Sequence, residues 1–193
     1  MNDDVIEYGD WGARFFEFAV TEERVLSGVN AVAGQPIEFG PMGVGPGRVA
    51  KVSASGRIGT ATGQRVSTDP VQFDVRIPVA LQFELNLGLD VHRFDADIEI
   101  PLKLTARARD DLAIVIDIDA PSSRDIQIFL KAKGLRATVT QYAVNVEGEL
   151  RRFIAKYVSR EISKPTVEAA RVVDVAAAIH RAAGSVVPKA ARD

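Results

Sequence analysis

From Val71 to Val91 every odd-numbered residue is apolar, and the positions between them are mostly polar: Gln72, Asp74, Arg76, Gln82, Glu84, Asn86 and Asp90. Successive side chains of a strand point to opposite faces, so this stretch makes one greasy face and one wet face. At His92-Arg93 the alternation changes phase. Phe94, Ala96, Ile98, Ile100, Leu102, Leu104, Ala106 and Ala108 now carry the apolar set, with Asp95, Asp97, Glu99, Lys103, Arg107 and Arg109 opposite. A slip of one residue marks a turn or a bulge, because otherwise the core face would turn to solvent. Drawn out as one straight strand, residues 71–91 would span ~70 Å, whereas a compact chain of this length is roughly 40 Å across. The stretch therefore bends at Pro78 or Gly88, is split by a turn near Asn86-Leu87-Gly88, or belongs to an elongated molecule.

The alternation continues on both sides. Ala50, Val52, Ala54 and Ile58 mark a strand in RVAKVSASGRIG. Beyond a hairpin turn at Arg109-Asp110-Asp111, Leu112, Ile114, Ile116 and Ile118 continue the even set. Pro121-Ser122-Ser123 is another turn, and Ile126, Ile128, Leu130 and Ala132 form a strand expected to run on to Val139. The period then becomes helical. Val146, Leu150, Phe153, Ile154, Tyr157, Val158 and Ile162 predict an amphipathic helix over 144–163, capped by Asn145 with Glu147 and Glu149 in its first turn. Ser163 and Pro165 fit the cap and first position of a second helix over 165–182, and residues 183–193 read as a frayed tail.

Near the start, Thr21 caps a helix whose Val25, Leu26, Val29 and Val32 share one face, ended by Gly34 and Pro36. Residues 1–20 hold Trp11, Phe15, Phe16 and Phe18 and fit a strand or a helix start. Residues 34–47 (GQPIEFGPMGVGPG) read as a turn-rich connection. They have neither the G-K-[ST] ending nor the GxGxxG spacing of a phosphate-binding loop.

These elements predict a single α+β domain over 1–193, with its core at about 11–182. A long, curved antiparallel sheet wraps on a long C-terminal amphipathic helix, with a further N-terminal helix and a C-terminal helix. Composition fits: 47% of residues are hydrophobic and 26% charged, as expected of a chain that buries a core. A net charge of −2 argues against a nucleic-acid binder. The absence of cysteine removes disulfides, thiolate metal sites and cysteine nucleophiles. The N-terminus lacks the basic start and apolar run of a secretory signal, and no run is long enough to span a membrane. A cytoplasmic location is the expectation.

The order of helix, long meander and amphipathic C-terminal helix, carried by GRVAKVSASGRIG, DADIEIPLKLTARA and IQIFLKAKGLRATVTQYAVNVEGELRRFIAKYVSREI, resembles the TULIP superfamily of tubular lipid-binding domains. That superfamily includes bactericidal/permeability-increasing protein modules, SMP domains and an actinobacterial periplasmic lipoprotein family. The resemblance covers most of residues 21–163. It implies a curved sheet around a long helix, with an apolar groove for acyl chains. This sequence departs from the periplasmic members in lacking a signal or a lipidation cysteine, which points to cytosolic binding or delivery rather than transport between membranes.

About thirty apolar positions face inward on the strands, whereas the 144–163 helix offers seven and the first helix about four. The imbalance leaves room for an apolar ligand between sheet and helix. The expected ligand-binding set is Phe73, Val75, Ile77, Val79, Leu81, Phe83, Leu85, Ile98, Ile100, Leu102, Leu104, Ile114, Ile116, Leu150, Phe153, Ile154 and Tyr157, with Tyr157 or Tyr142 at the mouth. Arg151, Arg152, Lys156 and Arg160 (with Lys164) line the polar side of the helix. They are candidates for lipid headgroups or an acidic partner, although a solvated helix face explains them too.

No catalytic set can be assembled. His92 and His180 have no partners at useful spacing, so structural or solvated roles fit both. Asp95, Asp97, Glu99, Asp117 and Asp119 lie on a wet sheet face, where pairing with Lys103, Arg107, Lys131 and Lys133 suits them better than a metal does. The sequence thus favours a non-enzymatic protein without cofactor or metal, binding a lipid or other hydrophobic small molecule. Peripheral membrane contact and a homodimer stay open, and nucleic acid is not expected. Two rivals remain: an interaction protein with a filled core that forms a dimer, and a cyclase- or hydratase-like enzyme with a helix-grip cavity. The second needs a polar acid–base pair among the inward positions, and they supply none.

Overall fold

The computed structural model describes residues 5–44, 46–131 and 137–186. Among them, two helices, α1 (Tyr8–Ala19) and α2 (Glu22–Val29), precede strands β1 (Pro36–Val44), β2 (Ala50–Ile58), β3 (Thr62–Thr68), β4 (Val71–Asn86), β5 (Val91–Ala108), β6 (Ala113–Asp119) and β7 (Gln127–Lys131). Helices α3 (Ala137–Ile162) and α4 (Pro165–Ala170), strand β8 (Val172–Asp174) and helix α5 (Val175–Val186) complete the fold. The class is α+β, with the eight strands in one curled antiparallel sheet, a half-barrel.

The long alternating stretch is resolved by a hairpin rather than a bend. β4 ends at Asn86, Leu87 N–H donates to Asp90 O at 2.9 Å, and β5 begins at Val91. Pairing runs from Asn86↔Val91 to Gln72↔Thr105, and Phe83↔Phe94 shows why the phase changes. Odd residues of one strand sit beside even residues of the other, so an unbroken inner face requires the slip. Leu89 is therefore a fully exposed tip residue, not part of the wall.

β4 and β5 form a two-stranded spine, and each changes its outer neighbour half-way. β4 pairs β2 over Val79–Asn86 and β3 over Val71–Arg76. β5 pairs β7 over Asp95–Glu99 and β6 over Lys103–Ala108. β1 flanks β2, and β8 flanks β6. The changeovers are marked by prolines. Pro78 O accepts from Gly59 N–H at 2.7 Å, so its missing N–H faces the gap between β2 and β3. Pro101 lies between the residues paired to β7 and to β6. A proline costs a central strand a ladder bond except where no neighbour waits.

Several expectations need correction. Residues 34–47 contain β1, an edge strand. Its alternating Ile37 and Phe39 are buried, and a bulge between Phe39 and Met42 follows. Gly40, at φ +94°, sits so close to Val52 O that no side chain would fit. β3 was not anticipated: its outward residues are Thr62, Gln64, Val66 and Thr68, with no apolar period to announce it. Residues 8–19 are helical. Leu112 is an exposed turn residue at φ +58° rather than a strand residue.

The C-terminal helix starts at Ala137, so Val139 is helical rather than β and Asn145 lies inside the helix instead of capping it. Residues 132–136 lie outside the described set, and so do 187–193 of the expected tail. The expected 165–182 helix is interrupted by β8. Lys164 rather than Ser163 occupies the cap position before Pro165, and the Asp174 carboxylate accepts from Ala177 N–H at 2.8 Å to start α5. The Thr21 cap holds as expected, accepting from Arg24 N–H at 3.3 Å.

Candidate functional site

The inward side chains form two clusters, meeting where the prolines interrupt the spine. The first joins Phe39, Val52, Val79, Leu81, Phe83, Leu85, Phe94, Ile98 and Ile100 with Leu150 and Ile154 of α3; Phe153 and Tyr157 pack against it. The second joins Val20, Phe73, Val75, Leu102, Leu104 and Ile114; Ile116 and residues of α1 and α2 pack against it. Ile77 and Val158 touch both. The seventeen expected ligand-binding residues all face inward, but they divide between two cores instead of lining one groove. The side chain of Tyr142 lies outside the described set.

The first cluster is organised by aromatic rings. Phe39, Ala54, Phe83 and Phe94 form one row across four strands. Ring centroids lie 5.1 Å apart for Phe94–Phe83, 5.9 Å for Phe83–Phe39, 4.7 Å for Phe39–Phe153 and 6.3 Å for Phe153–Tyr157. These separations are in the favourable range for ring pairs, so the row ties α3 to the sheet. Phe39 was missed because it lies in the glycine- and proline-rich stretch. The Ile37–Phe39 alternation was the available signal. At the end of the row burial raises the Tyr157 phenol above its ordinary pKa, and Glu161 adds to the shift.

The second cluster is covered differently. Neither α1 nor α2 has a buried residue. They rest on the sheet through half-buried Phe15, Phe16, Ala19, Val25, Leu26 and Val29. Polar clamps hold their ends. The Arg24 guanidinium donates to Phe18 O and Ala19 O, both at 3.0 Å, while that of Arg65 donates to Val20 O and lies 5.4 Å from the Phe73 ring centroid. Asn30 closes the far end, accepting from Ala61 N–H at 2.7 Å and donating to Ala61 O at 3.3 Å.

The basic side of α3 is largely engaged within the helix. Arg151 pairs with Glu147, and its Nε is buried without a partner. Arg152 pairs with Glu149 at 2.7 Å, and Arg160 donates to Lys156 O at 3.4 Å. On the wet sheet face Lys131 pairs with Asp97 at 2.6 Å and Arg107 with Asp117 at 2.7 Å, as cross-strand neighbours should. Among the described residues no group of three or more histidines, aspartates or glutamates converges as a metal would need. No described helix is long and apolar enough to cross a membrane.

A cleft of about 730 Å³ opens across β1, β2, β4 and β5, lined by Glu38, Ser53, Ser55, Gln82, Glu84, Arg93 and Asp95 around the aromatic row. A smaller one, about 360 Å³, lies along Gln72, Asp74, Lys103, Thr105 and Asp119. Leu81, Leu85, Ile98, Leu150 and Ile154 line neither. No protein-family model matches this chain, and no curated protein matches it. The functional reading therefore rests on the geometry.

Proposed function

We propose that the protein is a non-enzymatic binding domain for an apolar ligand such as an acyl chain, taken up between the sheet and α1–α2. The observation carrying this reading is the unequal cover of one continuous apolar face. Over the first cluster α3 inserts Leu150, fully buried, and Ile154, buried. Over the second, α1 and α2, joined by half-buried Val158, Ile162 and Val175, have no buried residue, although Phe73, Val75, Leu104 and Ile114 beneath them are buried. Lifting that cover sacrifices half-buried contacts and a few polar clamps. An acyl chain would replace the contacts, gaining about 25 cal/mol per Å² of apolar area buried, before ordering costs. The resemblance to tubular lipid-binding domains implies the same class of ligand but a groove at the long C-terminal helix; we place it under α1–α2 instead.

Native mass spectrometry of freshly purified protein, with displacement of a fluorescent fatty acid by oleate, tests this. Binding of one acyl chain per domain is expected. Absence of both co-purified lipid and displacement would sink the idea. A second reading, an interaction protein with a filled core, is favoured by one observation: neither cleft opens on the inner face.

A further inference from the structure

Beneath α1 and α2 one residue breaks the apolar lining. The register of β3 on β4 sets Arg65 directly opposite Phe73. Directly opposed residues of an antiparallel pair share a face, and Phe73, 1% exposed, points into the second cluster. Among the described residues Arg65 is the one Lys, Arg, Asp or Glu paired with an inward residue of β4 or β5. Its row continues through Phe73, Leu104 and Ile118, all apolar. The half-buried guanidinium lies 5.4 Å from the Phe73 ring centroid. Its Nη2 donates to Glu17 O at 3.4 Å and to Val20 O, at the C-terminal end of α1. Among the described residues no carboxylate forms an ion pair with it. Glu22 accepts from the Arg65 backbone N–H at 3.4 Å instead.

Given an acyl site under α1–α2, we propose that Arg65 is its head-group anchor and that the ligand is a long-chain carboxylate. A cation set in an apolar lining is costly unless it is paired, and the two carbonyls give it dipoles but no counter-charge. β3 pairs only with β4 among the described strands, so Arg65 stands at the rim of the sheet, with an apolar floor running inward from it. An amphiphile with an anionic head fits that sequence of surfaces. A guanidinium grips a carboxylate as a two-pronged fork, and both prong pairs include Nη2, which the α1 carbonyls now occupy. Lifting the cover releases Nη2, so opening the site and completing the anchor are one event. A phosphate monoester, with nearly two charges, exceeds what one guanidinium beside Glu22 balances.

Displacement of Nile red, an uncharged dye, by oleate, oleyl alcohol and oleyl phosphate in mildly alkaline buffer is the test. The wild-type chain should bind oleate about tenfold more tightly than the alcohol, the scale of a hydrogen bond to a charged group. R65M should abolish that preference and leave alcohol binding unchanged. R24M removes the other arginine on the α1 carbonyls and should keep the preference, which separates anchoring from helix capping. If R65M does not fold, R65K, with the charge but not the fork, should lower the preference without abolishing it. Equal binding of oleate and alcohol by the wild type, a preference surviving in R65M, or an equal loss in R24M would overturn the anchor. Tighter binding of the phosphate than of oleate would overturn the carboxylate. Failure of every lipid to displace the dye would instead remove the acyl site itself, and the anchor with it.

Discussion

The two halves of the β4–β5 spine have the same alternating pattern and opposite kinds of cover. Residues 79–86 and 91–100 lie under α3, which drives Leu150 and Ile154 into a ring-lined core. Residues 71–77 and 101–108 lie mainly under α1 and α2, which rest on the surface and are fastened by arginines and an asparagine, with half-buried Val158 and Ile162 from the end of α3 and Val175 of α5 beside them. An apolar strand face thus says that something must cover it. How tightly it is covered depends on how far the helix side chains penetrate. The contrast predicts that the α3 half carries more of the stability; under the proposed function, exchange of cover for ligand falls to the other half.

The largest effect should come from breaking the tight half. Leu150→Ala removes a fully buried side chain and should cost about 3 kcal/mol in urea unfolding, against roughly 1 kcal/mol for the half-buried Leu26→Ala. Equal losses would abolish the contrast. Asn30→Ala removes both bonds to Ala61 and should cost about 1–2 kcal/mol. Because Asn30 fastens α2, it should also speed amide exchange in α1 and α2 without changing exchange in Leu150–Tyr157. Uniform acceleration would show that the cover does not open by itself.

The smallest effect is a titration. Burial holds the Tyr157 phenol above its ordinary pKa. The fold favours the neutral form, so this stabilisation is complete below the unfolded value near ~10 and is lost as pH rises through the higher folded value. An ultraviolet absorbance titration should show a late-ionising phase that Tyr157→Phe diminishes. A late phase unchanged in Tyr157→Phe would contradict the burial of that ring.

The spine was legible because Val71–Leu85 and Phe94–Ala106 obey a strict period of two, and the phase slip at His92-Arg93 located the turn to within a few residues. β1 was hidden because glycine and proline dominate its composition, although an edge strand with a bulge tolerates both. β3 was hidden because Val66 is its one apolar residue, so no apolar period announces it, and its pairing with β4 defines it. The start of α3 was misread because Ile126, Ile128 and Leu130 set a period of two that the chain abandons. Inward-facing residues could be named from sequence. Their division into two cores could not, because it depends on where Pro78 and Pro101 meet changes of neighbour and on which helix lies over each half.

Hydrogen–deuterium exchange with and without a saturating fatty acid tests the central claim most directly. Bound ligand should alter exchange in α1, α2, β3 and the Val71–Ile77 half of β4, leaving Leu150–Tyr157 and the Val79–Asn86 half unchanged. A change confined to α3 and its half of the sheet, or no change at saturation, would contradict it.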